Sequence, residues 1–193
     1  AIVIRGNSPK GLLWRMENTD ILNPSHFADV SVVGAGALTA LSIQMLANSD
    51  FYTGAFPAQF GNALSGVFDI KLRNGNNHKN ENTIQLGIIG TDISSEGPLG
   101  KNENSSYLFN YRYSTLSLLS PILPPEMGTL KYQDFAFKVN VHSPDGKNNL
   151  SIWGFGTLDY QHHTAIKDSS GWNSDYDKTD FLIDAYMGVI GIN

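Results

Sequence analysis

The sequence predicts a mainly β protein in two parts. Residues 1–77 read as a mixed α/β segment with a small sheet and a short helix, and residues 78–193 as antiparallel strands of an incomplete transmembrane β-barrel. Three observations point there. Only 16% of the 193 residues are charged and 11% are aromatic, where an ordinary soluble domain carries about 25% charge. The 19 glycines, with abundant Asn and Ser, favour turns over long helices. From Ser106 onward, apolar and polar side chains alternate over runs of about ten residues, as in strands whose two faces meet different environments.

Composition also excludes classes of function. A formal charge of −5 is wrong for a nucleic-acid binder, which needs a basic face for phosphates. With no cysteine there is no disulfide framework, thiolate metal site or thiol nucleophile. Val30–Ser49 carries no formal charge over a length that could cross a bilayer, but Gly34, Gly36, Gln44 and Asn48 interrupt it, and it reads as a buried or amphipathic segment.

In order along the chain, Ile2–Arg5 is β-like and Leu12–Glu17 is strand-like, followed by a turn at Leu22-Asn23-Pro24. Leu38, Leu41 and Met45 have helical spacing and predict a short helix over Ala37–Ala47. Phe51–Gly54 reads as a strand, Gly61–Gly66 as a turn, and Val67–Arg73 as an alternating strand ended by Asn74–Asn77. If the short connections lie on the side from which the plug enters, residues 78–96 need to hold two short strands around Gly90-Thr91-Asp92, and the strand direction there stays open. Next, Tyr107, Phe109, Tyr111 and Tyr113 share one strand face, with Asn110, Arg112 and Ser114 on the other. Phe135, Phe137, Val139 and Val141 oppose Lys138, Asn140 and His142, and Leu150, Ile152, Gly154, Gly156, Leu158 and Tyr160 form a third apolar face. Phe181, Ile183, Ala185, Met187 and Val189 form a fourth. A soluble antiparallel sandwich would show the same alternation. The connections favour the barrel: 97–104 and 143–149 are short and 115–130 and 161–179 long, in the strict alternation expected of a barrel with one rim of tight turns. The chain begins and stops inside β-like runs, which reads as a fragment.

Several stretches resemble a TonB-dependent outer-membrane receptor, covering the later plug domain (1–77) and the first barrel strands (78–193). Ile2-Val3-Ile4-Arg5-Gly6 resembles an early plug strand with its Arg5-Gly6 pair. Leu12–Glu17 sits where the family has a strand leading to an Asp-Gly turn, here Glu17-Asn18. The stretch Met45–Ile70, with Gly54, Pro57, Gly61 and Gly66, is similar to the end of the plug, and Glu96-Gly97-Pro98-Leu99 to a barrel turn. The resemblance implies nutrient uptake across the outer membrane of a Gram-negative bacterium, driven by the TonB complex through a segment upstream of this one. It implies outer-membrane lipid as a partner, admits a surface lipoprotein or other outer-membrane protein as another, and implies neither enzyme activity nor a cofactor. The glycines at 54, 61 and 66 would allow turns that a Cβ obstructs, while Asn110, Arg112, Lys138 and Asn140 would face the lumen as partners for the plug.

Rival chemistry is weaker. Val32–Leu41 imitates a dinucleotide-binding turn, but Thr39 replaces the third glycine; the glycines at 34 and 36 more simply let a loop bend. His162-His163 would point to opposite strand faces and reads better as part of a solvated outer loop than as a metal site. Asn173, Asp175, Asp177 and Asp180 suggest a calcium loop without its Gly and terminal Glu. Arg5 reads as an internal ion pair or lumen contact before a substrate contact. The alternative in a different class is a soluble β-rich glycan-binding module using Trp14, Trp153, Trp172 and the tyrosines.

Overall fold

Glu17 and Asn18 both have positive φ, 47° and 68°. This is the left-handed geometry of a type I′ turn, whose twist matches that of the strands it joins. They connect β1 (Leu12–Met16) to β2 (Thr19–Ile21), with Met16 opposite Thr19. The computed structural model describes residues 2–27, 38–100, 104–116, 129–143, 145, 147–172 and 175–193. In it β1 also pairs in parallel with β4 (Gly66–Ile70), and β4 pairs antiparallel with β3 (Asp50–Tyr52). The result is a four-stranded sheet of order β2-β1-β4-β3.

The later strands are β5 (Glu81–Leu86), β6 (Gly90–Pro98), β7 (Ser106–Ser114), β8 (Thr129–His142), β9 (Asn149–His163) and β10 (Phe181–Ile192). Each pairs antiparallel with the next, so the second sheet has six strands in chain order. It is open: among the described residues, β5 and β10 are its edges and no barrel closes. No helix among the described residues is long and apolar enough to cross a membrane.

Chain direction follows from the register. The end of β6 and start of β7 lie at the same end of the six-stranded sheet as the end of β8 and start of β9, and the end of β7, start of β8, end of β9 and start of β10 lie at the other. The turn Gly87–Ile89 is at the second end, where Gly87 N–H donates to Gly90 O at 3.0 Å. β5 therefore starts at the end with the short connections, and the four-stranded sheet feeds into the larger one from that side.

One core joins the two sheets. Met16 and Ile70 from the smaller one, with Leu41, Met45 and Leu72 from the chain around it, pack against Leu108, Ala136, Trp153 and Phe155 of the larger. A second cluster holds Phe27 against Leu116, Leu130 and Tyr132.

Four expectations change. Ile2–Arg5 is no strand: Ile4 bridges Asn7 around a turn in which Arg5 and Gly6 have φ of 51° and 75°. The helix over 37–47 reduces to one 3-10 turn, Ile43–Met45. Thr39 is held in a bridge with Ser25, and the Ser42 side chain accepts from Gln44 N–H, so the apolar spacing reports burial of Leu41 and Met45 rather than a helix. The fourth apolar face turns inward: Met187 and Val189 pack on the shared core, while Leu182, Tyr186, Ile190 and Ile192 point outward. Of the motif glycines, Gly66 is the one closely hemmed in, since a Cβ there would stand 2.5 Å from Ile4 Cδ1 and 3.1 Å from Tyr52 O. At Gly61 a Cβ meets nothing within 4 Å, so the turn does not need glycine there.

The tightest approach to backbone lies elsewhere. A Cβ at Gly75 would collide with the backbone carbonyl of Tyr107, which cannot swing aside. Gly75→Ala is expected to destabilise the protein by about 2 kcal/mol or more, and Gly61→Ala by no more than about 0.5 kcal/mol, as read from urea unfolding midpoints.

Candidate functional site

The two faces of the six-stranded sheet differ in polarity. The register places Asp92, Ser94 and Glu96 of β6, Asn110 and Arg112 of β7, Asp134, Lys138 and Asn140 of β8, and Thr157 and Asp159 of β9 on the face covered by the smaller sheet. Most are buried, Asn110 at 1% and Asp134 at 3% exposure. The opposite face carries Ile84, Ile93, Tyr107, Phe109, Tyr111, Tyr113, Phe135, Val139, Leu158, Tyr186 and Ile190, half-buried or exposed. Between the level of Tyr113 and that of Tyr107, no charged residue of these strands lies on that outer face. A water-soluble sheet has the reverse arrangement.

Buried charge has to be paired, and the inner face resolves into polar knots. The first is centred on His26, which is fully buried. Its Nε2 lies 2.6 Å from Asp134 Oδ1, and its Nδ1 2.5 Å from Asp159 Oδ1. Tyr132 stacks on the imidazole at 4.1 Å. Arg112 Nε donates to Asp134 Oδ2 at 2.6 Å, and its Nη2 donates to the Thr39 carbonyl. Phe27, 2% exposed, is held at a φ of 54°, strained for a residue with a Cβ, with its N–H donating to Asp159 Oδ2 at 3.4 Å.

In the second knot Asp92 accepts from Ser42 Oγ at 2.5 Å and from Asn110 Nδ2 at 2.6 Å. In the third, the Glu17 carboxylate accepts from Leu72 N–H at 2.7 Å and from Lys138 Nζ at 3.2 Å, while Lys138 also donates to Leu72 O at 2.8 Å. In the fourth, Arg73 grips Glu96 through two bonds of 2.7 Å, and Asn76 N–H donates to the same carboxylate at 2.7 Å. All four link the segment before residue 78 to the six-stranded sheet.

The structure thus brings Asn110, Arg112 and Lys138 into one interface. Asn140, on the same face, instead meets His142 Nδ1 at 3.1 Å. The motif residues are scattered. Arg5 is exposed and lies across Gly54, its Nη1 3.0 Å from where a Cβ would stand, rather than in an internal ion pair among the described residues. The Pro57 carbonyl accepts from Phe60 N–H at 3.0 Å and closes a turn. His162 and His163 end β9 instead of lying in a loop; His162 is exposed, and His163 is buried against Phe181 at 5.2 Å. Asp175 pairs with Lys178, and Asp180 accepts from Ala165 N–H. Among the described residues no three His, Cys, Asp or Glu side chains are grouped to hold a metal. Asn173 and residues 28–37, including most of the dinucleotide-like turn, lie outside the described residues. Trp14 is stacked on Phe68 at 4.4 Å, Trp153 is fully buried and Trp172 is exposed, so the tryptophans do not form a common platform.

Sequence reasoning missed His26, Ser42, Glu17 and Arg73. The strand acids Asp92, Asp134 and Asp159 were accessible through alternation alone, but their partners come from irregular chain that has no period to read.

Chemically, the arrangement clamps one segment onto another. Both ring nitrogens of His26 are engaged by carboxylates, so neither is free to take a proton from a substrate. Burial, the largest influence, lowers the His26 pKa, but Asp134 and then Asp159 together outweigh it and raise the value above the ordinary 6.5. Comparison with protein-family models, curated proteins and solved structures finds no match.

A raised histidine pKa stabilises the fold below the unfolded value, and that contribution is lost as pH rises through the folded one. The unfolding midpoint is expected to fall as pH is raised from 6.5 through the elevated value. His26→Gln should remove that dependence and destabilise the protein by about 3 kcal/mol, the cost of leaving buried charge unpaired. Thermal unfolding across pH reads both.

Proposed function

We propose that this chain is part of a TonB-dependent outer-membrane transporter, with residues 1–77 belonging to the plug and 78–193 to the barrel wall. It takes part in uptake of a nutrient across the outer membrane of a Gram-negative bacterium and is not itself an enzyme.

The observation that carries this reading is the inverted polarity of the six-stranded sheet. Most of its charged side chains lie under the smaller sheet, and between the levels of Tyr113 and Tyr107 its outward face is uncharged and rich in aromatic residues. In water this would expose an apolar surface far larger than soluble monomers present; against lipid it is the stable arrangement. The outward face free of charge on β8 runs from Gln133 to Val141, a length within the roughly 9–11 residues that a tilted transmembrane strand uses. The sheet edges at β5 and β10 would be met by further strands of the closed barrel. The polar knots would then hold the plug in the wall, and release of some of them through the TonB complex would open a path.

The full protein is expected to fractionate with outer membranes and to require detergent for extraction; recovery as a monodisperse monomer without detergent would overturn the reading. Phe109→Arg, in the middle of the outer face, should cost about 2–4 kcal/mol of folding stability in bilayers. The same change on a soluble sheet's exposed face should cost no more than about 0.5 kcal/mol.

A further inference from the structure

We infer that the outer face carries a built site for one acyl chain of an anionic membrane lipid, in a notch at Gly156 and Gly188 headed by Lys131. This rests on the reading of that face as lipid-facing. Gly156 and Gly188 are direct register partners on β9 and β10, so the wall has no side chain at two adjacent points. The resulting groove has a volume of about 340 Å³ and is walled by Tyr111, Phe135, Leu158 and Tyr186. At about 30 Å³ for a group the size of water, it has room for roughly ten methylenes.

Folding does not require these glycines. Neither has a positive φ. A Cβ would meet only Met187 O at 3.4 Å from Gly156 and Phe155 O at 3.8 Å from Gly188, both ordinary contacts. The neighbouring outward glycine behaves differently: Gly154 is covered by the ring of Phe137, which a Cβ would strike. The sheet fills one glycine gap and leaves the next one open.

The polar groups lie at one end of the notch, as an amphiphile needs. Tyr111 Oη donates to Gln133 Oε1 at 2.8 Å on the rim. One register step further toward the long connections stands Lys131, in a row with Tyr160 and Asp184. It is the only lysine or arginine on the outward face of the described strands. Its ammonium lies 5.6 Å from the Tyr160 ring centre and, among the described residues, meets no carboxylate. Asp184 is two strands away, about 9.6 Å at ~4.8 Å per strand, and leaves the cation free for a phosphate. From Phe135 to Lys131 is about 13 Å along β8 at ~3.3 Å per residue, which sets the head apart from the chain in the notch.

The test uses the full protein in nanodiscs of mixed phosphatidylglycerol and phosphatidylcholine, with lipid retained after detergent release counted by native mass spectrometry. The parent should hold one phosphatidylglycerol. Gly156→Leu and Gly188→Leu, which the open space admits, should lose it. Lys131→Gln should keep a lipid but lower the preference for phosphatidylglycerol about fivefold, the worth of one basic residue near an anionic surface. Circular dichroism confirms that each variant is folded. Lipid retention unchanged in both leucine variants overturns the groove, and an unchanged preference in Lys131→Gln overturns its head. Failure of the protein to enter nanodiscs at all would instead count against the membrane reading.

Discussion

A β-strand cannot set the polarity of one face without fixing where the other face must go, because successive side chains point in opposite directions. From Tyr107 to Tyr113 in β7 and from Phe135 to Val141 in β8 the odd positions are tyrosine, phenylalanine and valine, and the even positions of the two strands include Asn110, Arg112, Asp134, Lys138 and Asn140. Whichever environment takes the aromatic face, the polar face needs hydrogen-bond partners. Here they come from the chain before residue 78. The four-stranded sheet is therefore more than a neighbour of the larger one; without it a row of carboxylates, a guanidinium and an ammonium would lose their partners.

This explains why the interface has an apolar centre with charge around it. Met16, Leu41, Met45, Ile70 and Leu72 fill the space against Leu108, Trp153 and Phe155, and non-directional packing of this kind tolerates small shifts. The knots do not. A bidentate Arg73–Glu96 pair and a His26 hydrogen-bonded to Asp159 and held against Asp134 are directional. Replacing such pairs with apolar residues can be neutral for stability, whereas removing one partner is costly. Their contribution is thus better described as register than as strength: they define where the smaller sheet sits.

The strands of the larger sheet were legible in the sequence because alternation survives whatever surrounds them. β7 matches its predicted run, while β8 and β9 contain theirs and extend into the predicted long connections, β8 back to Thr129 and β9 on to His163; the alternation of short and long connections agrees with which strand ends lie together. Where side chains on both faces of a strand are apolar, as with Phe181-Leu182-Ile183 in β10, the period no longer says which face is inward, and the orientation came out reversed. In the first 77 residues, elements are three to five residues long, too short for a period to show. Helical spacing at Leu38, Leu41 and Met45 was produced by a folded-back loop with one 3-10 turn. The candidate site was half legible for the same reason: its strand residues follow a rule, while His26, Ser42 and Arg73 are placed by tertiary pairing.

The tip of the first hairpin also bears on the order of folding. Glu17, set by a left-handed turn, receives Leu72 N–H and Lys138, and its backbone carbonyl accepts from Asn193 Nδ2 at 3.3 Å, a contact 176 residues apart in sequence. Contacts of such separation close the largest loops and form slowly. The hairpin can form within microseconds of its own synthesis, yet it remains unanchored until β8 and β10 are in place. Glu17 is in effect a late checkpoint for this part of the chain, and these three partners come together only once β10 has paired with β9.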